Sequence, residues 1–138
     1  MRYYDASALV KKYVREAGSV KVRRSLASDV PATSRLSGVE IASGLMRRSR
    51  EGAFSRTQCR RAFAALESDM SAMLIVELTP TIVSRAQTLL ERHALRAGDA
   101  IQLASCLWLR QELNEDAHFV VFDDRLAAAV RAEGIDVA

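Results

Sequence analysis

Short apolar runs alternate along this chain with longer stretches of helical periodicity, and the alternation persists from one end to the other. Arg2-Tyr3-Tyr4 reads as a strand. Ser7 to Glu16 places Ala8, Leu9, Val10, Tyr13 and Val14 at helical spacing, and Gly18 stops the run. A second helix, Ser19 to Ser28, is expected to turn Val20, Val22 and Leu26 inward and Lys21, Arg23 and Arg24 outward. Val30 to Ser34 reads as a short buried strand, because proline is tolerated at a strand's start. Ser37 to Glu51 and Ser55 to Met70 form an αα-hairpin around Gly52. Leu74 to Leu78 is β-branched and apolar, and Thr79-Pro80 then supplies a cap and a first-turn proline for a helix from Thr81 to His93. Asp99 to Leu113 is apolar almost all round, the signature of a helix buried between layers. His118 to Phe122 is the next strand, Asp123 to Glu133 the last helix, and Ile135 to Val137 an edge strand.

Strands separated by helices predict a parallel sheet with helices on both faces, and ligands of such sheets bind at the edge formed by the strand C-termini. The 138 residues suit one domain, residues 1–138, with one core. Composition changes this picture little: about half the residues are apolar, too many for disorder, and the net charge of +3 is compatible with a polyanionic partner. Cys59 and Cys106 lack metal-ligand spacing and read as reduced structural thiols. No run of about 18 apolar residues occurs, so a cytoplasmic protein without membrane contact is expected.

Charge placement adds more. Asp5 and Asp123 directly follow strands, and Glu40 and Asp99 lie near the starts of helices that can point back to the same edge. Each has an ordinary explanation: Asp5, Asp99 and Asp123 fit helix caps, and Ser37 with Glu40 fits a capping box. Gathered together, however, carboxylates repel, and a hard cation such as Mg²⁺ or Mn²⁺ is the natural counter-charge. Such ions polarise phosphoryl oxygens and activate water, which is phosphodiester chemistry. Ser37, Ser43 and Gly44 keep the Glu40 face small and polar, and Ser7 is placed to support Asp5. Asp124 is an alternative to Asp123. The two histidines, His93 and His118, read as a helix end and a strand start, and no phosphate-binding glycine loop or nucleophile elbow occurs.

Tyr4-Asp5-Ala6-Ser7-Ala8-Leu9-Val10-Lys11, Thr33-Ser34-Arg35-Leu36 with Glu40, Leu95 to Ala104 around Asp99, and Phe122-Asp123 with Leu126 closely resemble PIN-domain proteins of the VapC toxin type. The match spans the whole chain. This resemblance implies a three-layer αβα sandwich with a central parallel sheet and a Mg²⁺- or Mn²⁺-dependent endoribonuclease that cuts RNA by metal-activated water. It also implies a small antitoxin partner encoded alongside and a homodimer. Residue by residue, it makes Asp5, Glu40, Asp99 and Asp123 the acidic quartet, Asp5 and Asp99 the main metal ligands, Glu40 and Asp123 the holders of metal-bound water or a second ion, and Ser7 the supporting hydroxyl.

Arg47, Arg48, Arg50, Arg56, Arg60 and Arg61 concentrate positive charge on the helical hairpin. That surface has three claimants: RNA, whose phosphates position a strand without specifying its sequence, an antitoxin, and a second copy. Two other classes are distinguishable. A catalytically silent binding module would have lost quartet acids, and none is missing. A phosphatase on another αβα fold would need Asp-x-Asp after a strand, where this chain has Asp5 and Ser7.

Overall fold

Tyr3 and Tyr4 show how the sheet divides the molecule. Successive side chains of a strand point to opposite faces. In the computed structural model, which describes residues 1–138, Tyr3 joins one buried apolar cluster and Tyr4 another. Phe119 and Val120 part in the same way on the neighbouring strand. The single core expected from chain length is therefore two, because each face of a parallel sheet needs its own cover.

Five strands form the sheet: β1 (Arg2–Tyr4), β2 (Pro31–Ser34), β3 (Leu74–Val76), β4 (His118–Val120) and β5 (Asp136–Val137). Every neighbouring pair is parallel, in the order β3-β2-β1-β4-β5. The chain starts in the middle, moves outward through β2 and β3, then crosses back to lay β4 on the other side of β1. A sheet that reverses its direction of growth leaves a crevice beyond the strand C-termini at the reversal. Asp5 leaves β1 there and Asp123 lies just beyond β4.

Helices α1 (Ala6–Leu9), α3 (Leu36–Arg50) and α4 (Arg56–Ser71) supply the cluster around Tyr4; α5 (Pro80–Arg92), α6 (Ala97–Leu113) and α7 (Asp124–Ala132) supply the cluster around Tyr3. The local signals operate as their chemistry requires. Ser55 and Gln58 close a reciprocal capping box on α4, and Thr79 caps α5 ahead of Pro80. In α6, residues Ala100 and Gln102 to Cys106 are all buried, as its nearly continuous apolar sequence predicts. No helix is long and apolar enough to cross a membrane.

Three expectations need correction. The first helix ends at Leu9 and passes into a 3-10 turn, Val10–Lys12, instead of reaching Glu16. Beyond it the chain is tied to side chains of α2 (Ser19–Leu26): Arg23 donates to the oxygens of Lys12 and Val14, and the Ser19 hydroxyl to that of Val14. Val20 is 63% exposed, not inward. Helix α2 buries Ser19 and Val22, one turn apart, and Val20 projects from another side. The strands after Met73 and Ala117 stop at Val76 and Val120, short of Leu78 and Phe122.

Candidate active site

Asp5 is both a cap and a wall of the crevice. Its Oδ1 accepts from the Ala8 backbone N–H at 2.9 Å and its Oδ2 from the Ser7 hydroxyl at 2.7 Å, and the residue is only 4% exposed. Asp123 likewise caps α7, accepting from the Leu126 N–H at 2.8 Å. Glu40 is not a cap. It lies a full turn inside α3, and its Oε1 accepts from Gln102 Nε2 at 3.0 Å. The capping box with Ser37 does not form, because the helix begins at Leu36 and the Ser37 hydroxyl turns inward to Thr33 at 2.6 Å and Gln102 at 2.9 Å. Asp99 stands in the first turn of α6. All four acids, with Ser7, Ser43 and Gly44, line one cleft of about 710 Å³.

Behind the carboxylates runs a buried polar chain that crosses both layers. Thr33 donates to the Tyr4 carbonyl and pairs with Ser37; Gln102 donates to Ser37 and Glu40 and accepts from the Tyr3 hydroxyl at 2.8 Å. Gln102 thus ties β1, α3 and α6 together from behind the cleft. Its amide fixes Glu40 Oε1, and the other oxygen lies over Gly98, where an added Cβ would stand 2.9 Å away. Glycine at 98 is what lets α6 approach this carboxylate so closely.

Asp5, Glu40 and Asp99 all shift upward on balance. Burial pushes the Asp5 carboxyl up to about 6, against the Ser7 and Ala8 hydrogen bonds, and the charges of Asp99 and Glu40 push further in the same direction. Burial also raises Glu40, partly offset by the Gln102 bond, with Asp99 adding to the rise. Asp99 is raised by burial and by the Asp123 charge, against the Arg96 backbone and the positive charges of Arg96 and Arg125, which pull it down. None of the four forms an ion pair. No three of them close on a common point to make a protein cage. An anionic, all-oxygen donor set open to solvent fits a hard divalent ion that keeps most of its own waters and takes one or two carboxylates directly. It fits Zn²⁺ poorly, since no His or Cys lines the cleft.

Among the other expected residues, Asp124 lies outside the cleft lining, while Asp123 belongs to it. Arg47 and Arg48 line it too; Arg50, Arg56, Arg60 and Arg61 are exposed elsewhere on the hairpin. Arg48 is partly neutralised by Glu16 at 2.9 Å. Sequence reasoning overlooked Gln102, Lys11, Arg96 and Phe122, all of which line the cleft. Gln102 left a signal: it interrupts an apolar helix, and a buried amide needs partners. His93 is not free at a helix end, because its Nε2 meets Glu133 at 2.7 Å.

Comparison with known proteins gives one consistent picture. The family model described as PIN domain matches residues 2–132. Ribonuclease VapC45 of Mycobacterium tuberculosis is 34% identical over 142 residues, covering 99% of this chain and 93% of that protein. Among solved structures, the sarcin-ricin loop cleaving toxin VapC20 of M. tuberculosis superposes with a TM-score of 0.70 at 20% identity, covering 94% of this chain and 95% of that one. A toxin-antitoxin complex from Klebsiella pneumoniae gives 0.63 at 19% identity, covering 93% and 91%.

Proposed function

This chain belongs to the PIN domain family, and from that premise we propose that its acidic cleft is the active centre of a Mg²⁺- or Mn²⁺-dependent endoribonuclease, the toxin of a toxin-antitoxin pair. The observation that carries the reading is the set of four carboxylates lining one cleft, none of them in an ion pair, the most buried of them held up to about 6. A structural role alone gives no reason to collect them, since each raises the cost of ionising the next.

Asp5 and Asp99 would hold the ion, with Glu40 and Asp123 beside it. A divalent cation there supplies positive charge to a phosphoryl oxygen and makes nearby water more acidic. The chain's own groups do the rest. Ser7 and the Ala8 N–H orient the Asp5 carboxylate through its two oxygens. Gln102 holds Glu40 by one oxygen and leaves the other to accept a proton from the attacking water. Lys11, Arg47, Arg48 and Arg96 line the cleft and attract the RNA backbone. Departure of the 3′-oxygen leaves 5′-phosphate and 3′-hydroxyl ends.

The purified chain, free of any partner, is expected to cut RNA with Mg²⁺ or Mn²⁺ and to stop in EDTA. Cleavage that persists in chelator, or 2′,3′-cyclic phosphate ends, would overturn the reaction class. The same reading places the protein in the cytoplasm as a homodimer, with a small antitoxin covering the cleft and presenting a cation to its carboxylates. Co-expression of the neighbouring reading frame should relieve toxicity and co-purify that protein; no effect on growth or cleavage removes the toxin role and leaves the nuclease.

Gly98→Ala tests Glu40 without touching a carboxylate. Alanine suits a helix better than glycine by about 1 kcal/mol, and the atom it meets is the tip of a side chain that can swing away. The variant is expected to melt within a few degrees of wild type while cleavage falls by up to about a hundredfold, as a displacement of about an ångström at a reacting group does. Unchanged cleavage would mean that the position of Glu40 is immaterial.

A further inference from the structure

Phe122 is an aromatic ring that folding leaves in solvent at the edge of the chemistry. Phe119, Val120 and Val121 before it are buried, whereas Phe122 is 38% exposed and lines the cleft next to Asp123. Its ring is held by three neighbours. Gly18 has a left-handed backbone (φ +91°), and a Cβ there would stand 2.6 Å from the ring's Cε1 and 2.9 Å from its Cζ, so the ring packs on bare backbone. The Lys11 ammonium stands 4.8 Å from the ring centre and is anchored by Glu16 at 3.1 Å. The Lys21 ammonium stands 5.7 Å from the same centre; it is exposed and forms no ion pair.

We propose that Phe122, flanked by Lys11 and Lys21, is a nucleobase subsite of the cleft: a base beside the scissile phosphate stacks on the ring, and the two ammonium groups take adjoining phosphates. This deepens the ribonuclease reading and rests on it. Surfaces that bind single strands pair an aromatic platform with positive charge along the backbone, because every base has a stacking face. An exposed cation–ring contact is weaker than a stacked base on the same ring, so unpaired Lys21 gives way and its charge is freed for phosphate. Anchored Lys11 stays. A protein side chain could also cover the ring, but two ammonium groups beside it favour a polyanion.

The test uses a single-stranded RNA that the wild-type chain cuts, carrying 2-aminopurine at successive positions. Titrated with the Asp99→Asn protein in Mg²⁺, one position is expected to lose fluorescence by stacking. Adding Phe122→Leu should abolish that quenching and weaken binding about tenfold, and Phe122→Tyr should keep both. In the otherwise unaltered enzyme, Phe122→Leu should raise KM about tenfold with kcat within about twofold, and Phe122→Tyr should restore KM. An abasic nucleotide at the responsive position should cost wild type the same factor and cost Phe122→Leu nothing. Equal quenching and equal KM in Phe122→Leu would overturn the subsite, as would a loss confined to antitoxin binding, which makes the ring a protein contact. A wild-type chain that neither binds nor cuts any RNA removes the ribonuclease reading and the subsite together, an outcome distinct from wild-type cleavage by Phe122→Leu. Because the ring is partly in solvent, both variants should keep the wild-type circular dichroism spectrum.

Discussion

Asp5→Asn is expected to lose RNA cleavage by orders of magnitude and yet to melt, in chelator, above the wild-type temperature. The cap survives the change: asparagine caps about as well as aspartate, its Oδ1 can still accept from the Ala8 N–H, and its amide can donate to Ser7. What disappears is a buried charge. A carboxyl raised from 3.8 to about 6 in the folded protein carries a penalty of about 3 kcal/mol when ionised, at about 1.4 kcal/mol per pH unit. Because the folded pKa is the higher one, the native state holds the extra proton. Metal-free wild type therefore keeps its full share of stability in acid and loses it as the pH rises through about 6. The advantage of Asp5→Asn should be largest at pH 7 and above and should close between about pH 6 and pH 4. Mg²⁺ should raise the wild-type melting temperature in proportion to the logarithm of its concentration, and do much less for the variant. Equal Mg²⁺ stabilisation of both proteins, with cleavage intact, would leave Asp5 as a helix cap and nothing more.

What the sequence reveals of this site depends on how local each determinant is. The placement of Asp5 follows from the end of β1, which is written in a few consecutive residues, whereas Asp123 stands three residues past the end of β4 and is placed by capping α7. Both acids line the cleft while capping helices, so the two explanations that compete at sequence level describe the same side chains. The cap also separates Asp123 from Asp124: the residue that closes the helix turn faces back over the sheet edge, and the next lies outside the cleft lining. Less local features were hidden. The segment beyond α1 is tied to α2, where Ser19 and Arg23 donate to the Val14 and Lys12 carbonyls from across the turn. Ser37 and Glu40 have the spacing of a capping box, but Gln102, more than 60 residues away, takes both. The order of strands is likewise a property of crossovers, and apolar periodicity carries no information about it.

Gln102→Leu should expose how much of the site rests on that one amide. Leucine nearly matches glutamine in volume, so no cavity term enters. The loss is polar: the Tyr3 hydroxyl loses an acceptor, and Ser37 and Glu40 each lose a donor, all where exposure is nil or partial. Groups left unpaired in such surroundings cost about 1–3 kcal/mol each, and Ser37 retains Thr33. A net loss of about 3 kcal/mol follows, a fall of roughly 10 °C in melting temperature for a chain of this length. Cleavage should fall as well, because Glu40 loses the bond that opposes its burial and sets its direction. Pairing the change with Glu40→Leu should recover part of the stability, since one orphaned acceptor is then gone, but none of the activity. Additive destabilisation in the double variant, or a Gln102→Leu protein that melts with wild type, would mean that Glu40 is held by its own helix, and that the buried amide serves β1 alone.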